Sequence, residues 1–198
     1  FDSRHYIDNA VGLLTCSLTA AIGEQSVNDY LVNVMYYDYR GRLVQSKSTN
    51  HLIGGIEKEY IAYDFIGKPL RRKHVHAVQN KPSQTELYTY TYDHVGRLLT
   101  TTHQLNQATP VVLVNNKYDA IGRLKSNSYN GNSNLKTDYA YNVRSWVKSI
   151  TSPLFSQMLY YNDTRAANPN NISTYNGDIS GMDWRVVAGG DNKQRGYN

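Results

Sequence analysis

Tyr92-Asp93-His94-Val95-Gly96-Arg97-Leu98 is the stretch from which the rest of the chain is read. Asp at the first position of a four-residue turn and Gly at the fourth suit a type I turn. The Asp side chain accepts backbone N–H groups two residues on and closes the turn locally. Gly supplies the positive φ that returns the chain to strand pairing through a bulge. Tyr before the turn and Leu after it anchor the base of the hairpin on a common apolar layer. Upstream, Thr85 to Tyr92 alternates as a strand does, with Tyr88, Tyr90 and Tyr92 on one face and Leu87, Thr89 and Thr91 on the other.

The motif recurs as Tyr37-Asp38-Tyr39-Arg40-Gly41-Arg42-Leu43 and as Tyr118-Asp119-Ala120-Ile121-Gly122-Arg123-Leu124. A looser copy is Tyr63-Asp64-Phe65-Ile66-Gly67-Lys68-Pro69-Leu70, and a degenerate one is Tyr141-Asn142-Val143-Arg144-Ser145-Trp146. The Tyr-to-Tyr steps are 26 (63 − 37), 29 (92 − 63), 26 (118 − 92) and 23 (141 − 118). Such a period holds two long strands, a tight turn and a return loop. The return loops fall at 48–55, around Asn80 to Ser83, at Gln104 to Pro110 and at Asn130-Gly131-Asn132. No sustained helical spacing of apolar residues occurs before Thr151.

The sequence therefore predicts an all-β fold of tandem β-hairpin repeats, about ten antiparallel strands in one coiled sheet. Residues 1–198 read as a single array, with 160–198 a loop-rich degenerate end and Ala188 to Asn198 a frayed terminus. Positive φ is expected at Gly41, Gly96 and Gly122. Pro69 stands in the Leu position, so the second hairpin is expected to lose a ladder hydrogen bond or lie at a sheet edge. Asn142 and Ser145 replace Asp and Gly, so the fifth turn is expected to differ in geometry.

Composition narrows the function classes. The chain has 18 Tyr against 3 Phe and 2 Trp, a bias that suits half-buried strands. Its mean hydropathy is -0.59, so apolar burial has to come from regular patterning. The net charge is +5 with a pI near 9.1, but the bases are spread along the whole chain rather than gathered into a nucleic-acid stripe. Cys16 is the only cysteine, which excludes an intrachain disulfide and a multi-cysteine metal site. No run of 18 apolar residues occurs. Phe1 rather than Met at the first position is read as the start of a processed product or an excised segment.

At these motifs the chain resembles the tyrosine-aspartate repeat family, also called YD or Rhs repeats, in its Bacteroidetes variety. The YDxxGR units carry the likeness. Gly12-Leu13-Leu14-Thr15, Ser48-Thr49-Asn50-His51-Leu52, the Tyr141 to Trp146 segment and Tyr175-Asn176-Gly177-Asp178-Ile179-Ser180 extend it from Gly12 to about Trp184. The resemblance implies a spiral antiparallel sheet that, in larger relatives, winds into a hollow shell around a C-terminal toxin or effector. It implies a bacterial cell-surface or extracellular protein whose partners are the rest of its own polypeptide. Relatives that self-cleave do so through aspartates in a core region; no Asp-Pro step and nothing matching that core occurs here.

No catalytic, metal or cofactor constellation emerges. His74-Val75-His76 puts two imidazoles on one strand face without a third ligand nearby. Arg71-Arg72-Lys73-His74 is the densest basic run and reads as solvated strand surface. Glu57 and Glu59 share a face at glycosidase-like spacing, with Lys58 between them as in an ordinary charged strand. The Tyr rows, Trp146 and Trp184 suit sugar stacking, yet tyrosines two residues apart are more simply a sheet face. Asn162-Asp163-Thr164 and Asn171-Ile172-Ser173 match glycosylation sequons. The expected function is thus a non-catalytic shell segment, with a surface carbohydrate-binding module as the alternative. Nucleic acid is not expected as a partner, whereas self-association through the sheet edges is.

Overall fold

Each Asp turn forms as its sequence dictates. The structure is a computed structural model and describes residues 10–20, 30–163, 173–188 and 191–197. The Asp38 N–H donates to the Arg42 carbonyl and the Gly41 N–H to the Asp38 carbonyl, both at 2.9 Å. The same pair of bonds recurs at Asp64, Asp93 and Asp119. Gly41, Gly67, Gly96 and Gly122 have φ of 73°, 110°, 89° and 93°. Pairing then resumes through a one-residue bulge. Tyr37 faces Leu43 while Tyr36 faces Gln45, leaving Val44 over. Leu70, Lys125 and Lys148 are left over in the same way beside Tyr63, Tyr118 and Tyr141.

The fold is all-β, an antiparallel meander in which strand order follows chain order, consistent with tandem hairpin repeats. Its only helical element among the described residues is one 3-10 turn at Ser133–Leu135. The chain divides into two compact units: Phe1–Tyr92 with Thr101–Val111, and Asp93–Thr100 with Val112–Asn198. The first holds β1 (Cys16–Ala20), β2 (Tyr30–Tyr37), β3 (Leu43–Thr49), β4 (Ile56–Tyr63), β5 (Pro69–Ala77) and β6 (Gln84–Tyr92). The next strand, β7 (Leu98–Leu105), gives Thr101–Leu105 to the first unit and Leu98–Thr100 to the second. The second continues with β8 (Val111–Tyr118), β9 (Leu124–Tyr129), β10 (Lys136–Tyr141), β11 (Val147–Thr151), β12 (Phe155–Tyr160), β13 (Gly181–Ala188) and β14 (Asp191–Tyr197).

Several expectations change. The described residues hold fourteen strands rather than about ten. Within 160–198, expected to be loop-rich, no described residue from 161 to 180 lies in a strand, and β13 and β14 follow. The terminus expected to fray pairs from Ala188↔Asp191 to Met182↔Tyr197. Pro69 is the first residue of β5, a strand flanked by β4 and β6 rather than an edge, so its missing N–H falls where the ladder begins.

The fifth turn does not differ. Asn142 Oδ1 accepts from the N–H groups of Arg144 and Trp146 at 2.9 and 3.0 Å, as an Asp carboxylate does. Ser145 takes the glycine's place with φ 64°. A side-chain amide oxygen caps the turn as well as a carboxylate, so the backbone geometry survives both replacements.

Burial is shallow. Among the described residues Tyr161, 5% exposed, is the only buried hydrophobic side chain. Most strand positions are half-buried on both faces. With no helix layer over the strands among the described residues, each unit is held by cross-strand neighbours rather than by a thick core.

Candidate functional site

The most ordered constellation is the row of motif residues that ties each repeat to the next. The Tyr37 hydroxyl donates to the Leu14 carbonyl at 2.7 Å, one repeat back. Tyr63 donates to Leu43 and Tyr92 to Pro69, each at 2.9 Å. In the second unit Tyr118 donates to Leu98 at 3.0 Å, Tyr141 to Leu124 at 2.8 Å and Tyr161 to Val147 at 2.9 Å. In four of the six the acceptor is the residue after the motif's base, whereas Leu14 follows Leu13 and Val147 follows Trp146. Tyr161 thereby joins the repeat series, 20 residues (161 − 141) beyond Tyr141.

The base works in both directions. Arg42 Nε donates to Asp38 of its own turn at 2.7 Å, and its guanidinium lies 4.8 Å from the centroid of the next repeat's Tyr63 ring. Arg42 Nη1 also donates to the Asp64 carbonyl at 3.2 Å. Arg97 bonds Asp93 at 2.6 Å and lies 4.6 Å from Tyr118; Arg123 bonds Asp119 at 2.6 Å and lies 4.6 Å from Tyr141. Lys68 lies 5.5 Å from Tyr92. Trp146 takes the base position in the fifth motif and packs on Tyr161 with ring centroids 5.0 Å apart, an aromatic pair in place of cation and ring. A base after Gly is visible in the sequence, but its reach into the following repeat is not.

The turn carboxylates titrate low. Desolvation raises the Asp38, Asp93 and Asp119 carboxyls. Hydrogen bonds from the following Arg, through its N–H and guanidinium, together with its charge, more than offset this. The net direction is downward, to about 2 for Asp93. Asp64 is lowered chiefly by the Lys68 N–H. The unfolded chain then binds more protons than the folded one in acid, so stability rises with pH there. This contribution is complete above the ordinary carboxylate value of 3.8 and is lost as pH falls towards about 2. Thermal melts should accordingly drop steeply below about pH 4, with Asp93→Asn losing part of that slope. A melting point unchanged down to about pH 2.5 would refute the assignment.

The side chains singled out in the sequence come together differently from their spacing. Glu57 accepts from Nε2 of His74 at 2.9 Å and Nδ1 of His76 at 2.5 Å, with the Asn50 amide donating at 2.7 Å. Burial raises the Glu57 carboxyl, but these hydrogen bonds and the His76 charge bring it below its usual value. The imidazole pair thus faces a carboxylate from β4, yet no group of three or more His, Cys, Asp or Glu among the described residues is placed to hold a metal ion. Glu59 is paired with Arg72. Tyr88 stacks on His103 with centroids 4.7 Å apart. Trp184 faces Gln157 in the β12–β13 ladder. Asn171 of the second sequon lies outside the described residues.

No family model matches the chain, and no curated protein matches it. Among solved structures it is similar to a chain in the crystal structure of TcdB2-TccC3-Cdc42, with a TM-score of 0.35 and 13% identity. That match covers 81% of this chain, which spans 9% of the length of the other.

Proposed function

We propose that the chain is a length of non-catalytic wall from a larger bacterial surface or secreted protein of the Rhs/YD kind, one that encloses a C-terminal toxin or effector. The observation that carries this is the lattice of motif tyrosines and bases. The motif Tyr hydroxyls and the bases Arg42, Lys68, Arg97 and Arg123 are engaged by neighbouring repeats in the array. Units that satisfy themselves only against adjacent units suit an extendable wall. The YDxxGR resemblance supports the same role. So does the strand order, which leaves one side of β1 and one side of β14 without a partner strand among the described residues.

The experiment is protease protection in the parent polypeptide. The segment following this chain is expected to resist digestion while the repeats are folded. It should become susceptible once Tyr118 and Tyr141 are both replaced by alanine and the wall is breached. Digestion of that segment at the rate of its free form in the unaltered parent would overturn enclosure.

A further inference from the structure

The strand register sorts the charges of the first unit by face. On one face lie Glu57, Glu59, Arg72, His74, His76 and Glu86, linked by the pairings Glu57↔His76, Glu59↔His74 and His74↔Glu86. On the other lie Lys47, Lys58, Arg71 and Lys73. That second face carries no Asp or Glu on any strand from β2 to β6, because all three glutamates of these strands fall on the first. Lys47 stands directly opposite Lys58. Like charges at that separation destabilise a sheet. Lys73 faces Tyr60 one step along, and Arg71 follows two residues further on the same strand.

We propose that this face of β3 to β5 binds an acidic polysaccharide, a chain bearing a carboxylate or sulfate on successive sugars. Charge complementarity supports this. Neighbouring strands about 4.8 Å apart, and alternate residues about 6.6 Å apart along a strand, give a two-dimensional grid of cations suited to an extended polyanion. A single-stranded nucleic acid, unlike a glycan, needs exposed aromatic faces for its bases. Tyr36 already carries the Lys47 ammonium at 5.4 Å from its centroid, and Tyr36 and Tyr60 are both half-buried. The neighbouring Thr49 and Thr89 carry hydroxyl groups of the kind that pair with sugar hydroxyls. The proposal is independent of enclosure, since a wall without cargo would present the same face.

The test is equilibrium binding of the whole chain to polygalacturonate, with neutral dextran and an oligothymidylate of matched charge alongside. Lys47→Gln with Lys58→Gln is expected to weaken polygalacturonate binding about fivefold to tenfold. It should also flatten the salt dependence and leave the thermal midpoint unchanged or higher. Arginine at both positions should retain binding. Lys117→Gln with Lys125→Gln, which removes the same charge from the second unit, should stay within about twofold. Equal weakening by the two glutamine pairs, or no binding by the unaltered chain, would overturn the proposal. Tighter, Lys47- and Lys58-dependent binding of the oligothymidylate would assign the face to nucleic acid instead.

Discussion

Tyr161→Ala is expected to cost about 3–5 kcal/mol, the range for removing a packed aromatic side chain. Three contacts disappear together. The ring leaves the only buried hydrophobic position among the described residues. Trp146 loses its aromatic partner. The Val147 carbonyl loses a donor at 2.9 Å. Tyr161→Phe keeps the first two contacts and isolates the third, so about 1 kcal/mol should go. Burial also pushes the Tyr161 hydroxyl above its usual pKa, in keeping with a neutral donor. Trp146 fluorescence followed through a urea titration reads both variants. A loss below about 1 kcal/mol for the alanine variant would mean that the ring is not a packing centre.

The glycine position can be tested from both sides. Gly122→Val should cost about 1–3 kcal/mol, because φ 93° is strained for a β-branched residue. A Cβ there would also sit 3.0 Å from Arg97 Nη1, pressing on the guanidinium that covers Tyr118. The fifth motif offers the reverse change. Ser145 already holds φ 64°, so Ser145→Gly removes a left-handed penalty of roughly 1–2 kcal/mol. The greater freedom of glycine in the unfolded chain offsets part of it, leaving a gain of about 0.5–1 kcal/mol. Urea midpoints that move in the same direction for both variants would contradict the turn assignment.

What the sequence made legible was local. Asp-x-x-Gly states its own turn because the Asp cap and the positive φ both arise within five residues, and the alternation of Tyr and Thr in β6 states its faces. The lattice between repeats was not legible, because a base after Gly has no sequence mark saying which Tyr it will cover some twenty residues on. Tyr161 went unnoticed for a related reason. No Asp-x-x-Gly follows it in the sequence, so the hydroxyl bond to Val147 is present where the motif is not. The fifth turn was misjudged because residue identity was weighed above function: an amide oxygen accepts the same two N–H groups. Glu57 as the partner of both histidines depended on register, which spacing along one strand cannot supply.

Because each motif tyrosine reaches back only to the preceding repeat, no hydrogen bond of the lattice needs more than 23 residues to be in place (92 − 69, as for Tyr92 with Pro69). The entropy of loop closure grows only with the logarithm of length and is never demanded over more than one period. Within each unit, assembly can therefore keep pace with a chain that is delivered from its N-terminus. A repeat completes its hydroxyl bond as soon as its own tyrosine appears, without waiting for residues still to come. Low sequence separation of contacts is the condition for fast folding, and it is unusual among all-β proteins. The motif that caps a turn thus also sets an order of events, each hairpin serving as the template on which the next one closes.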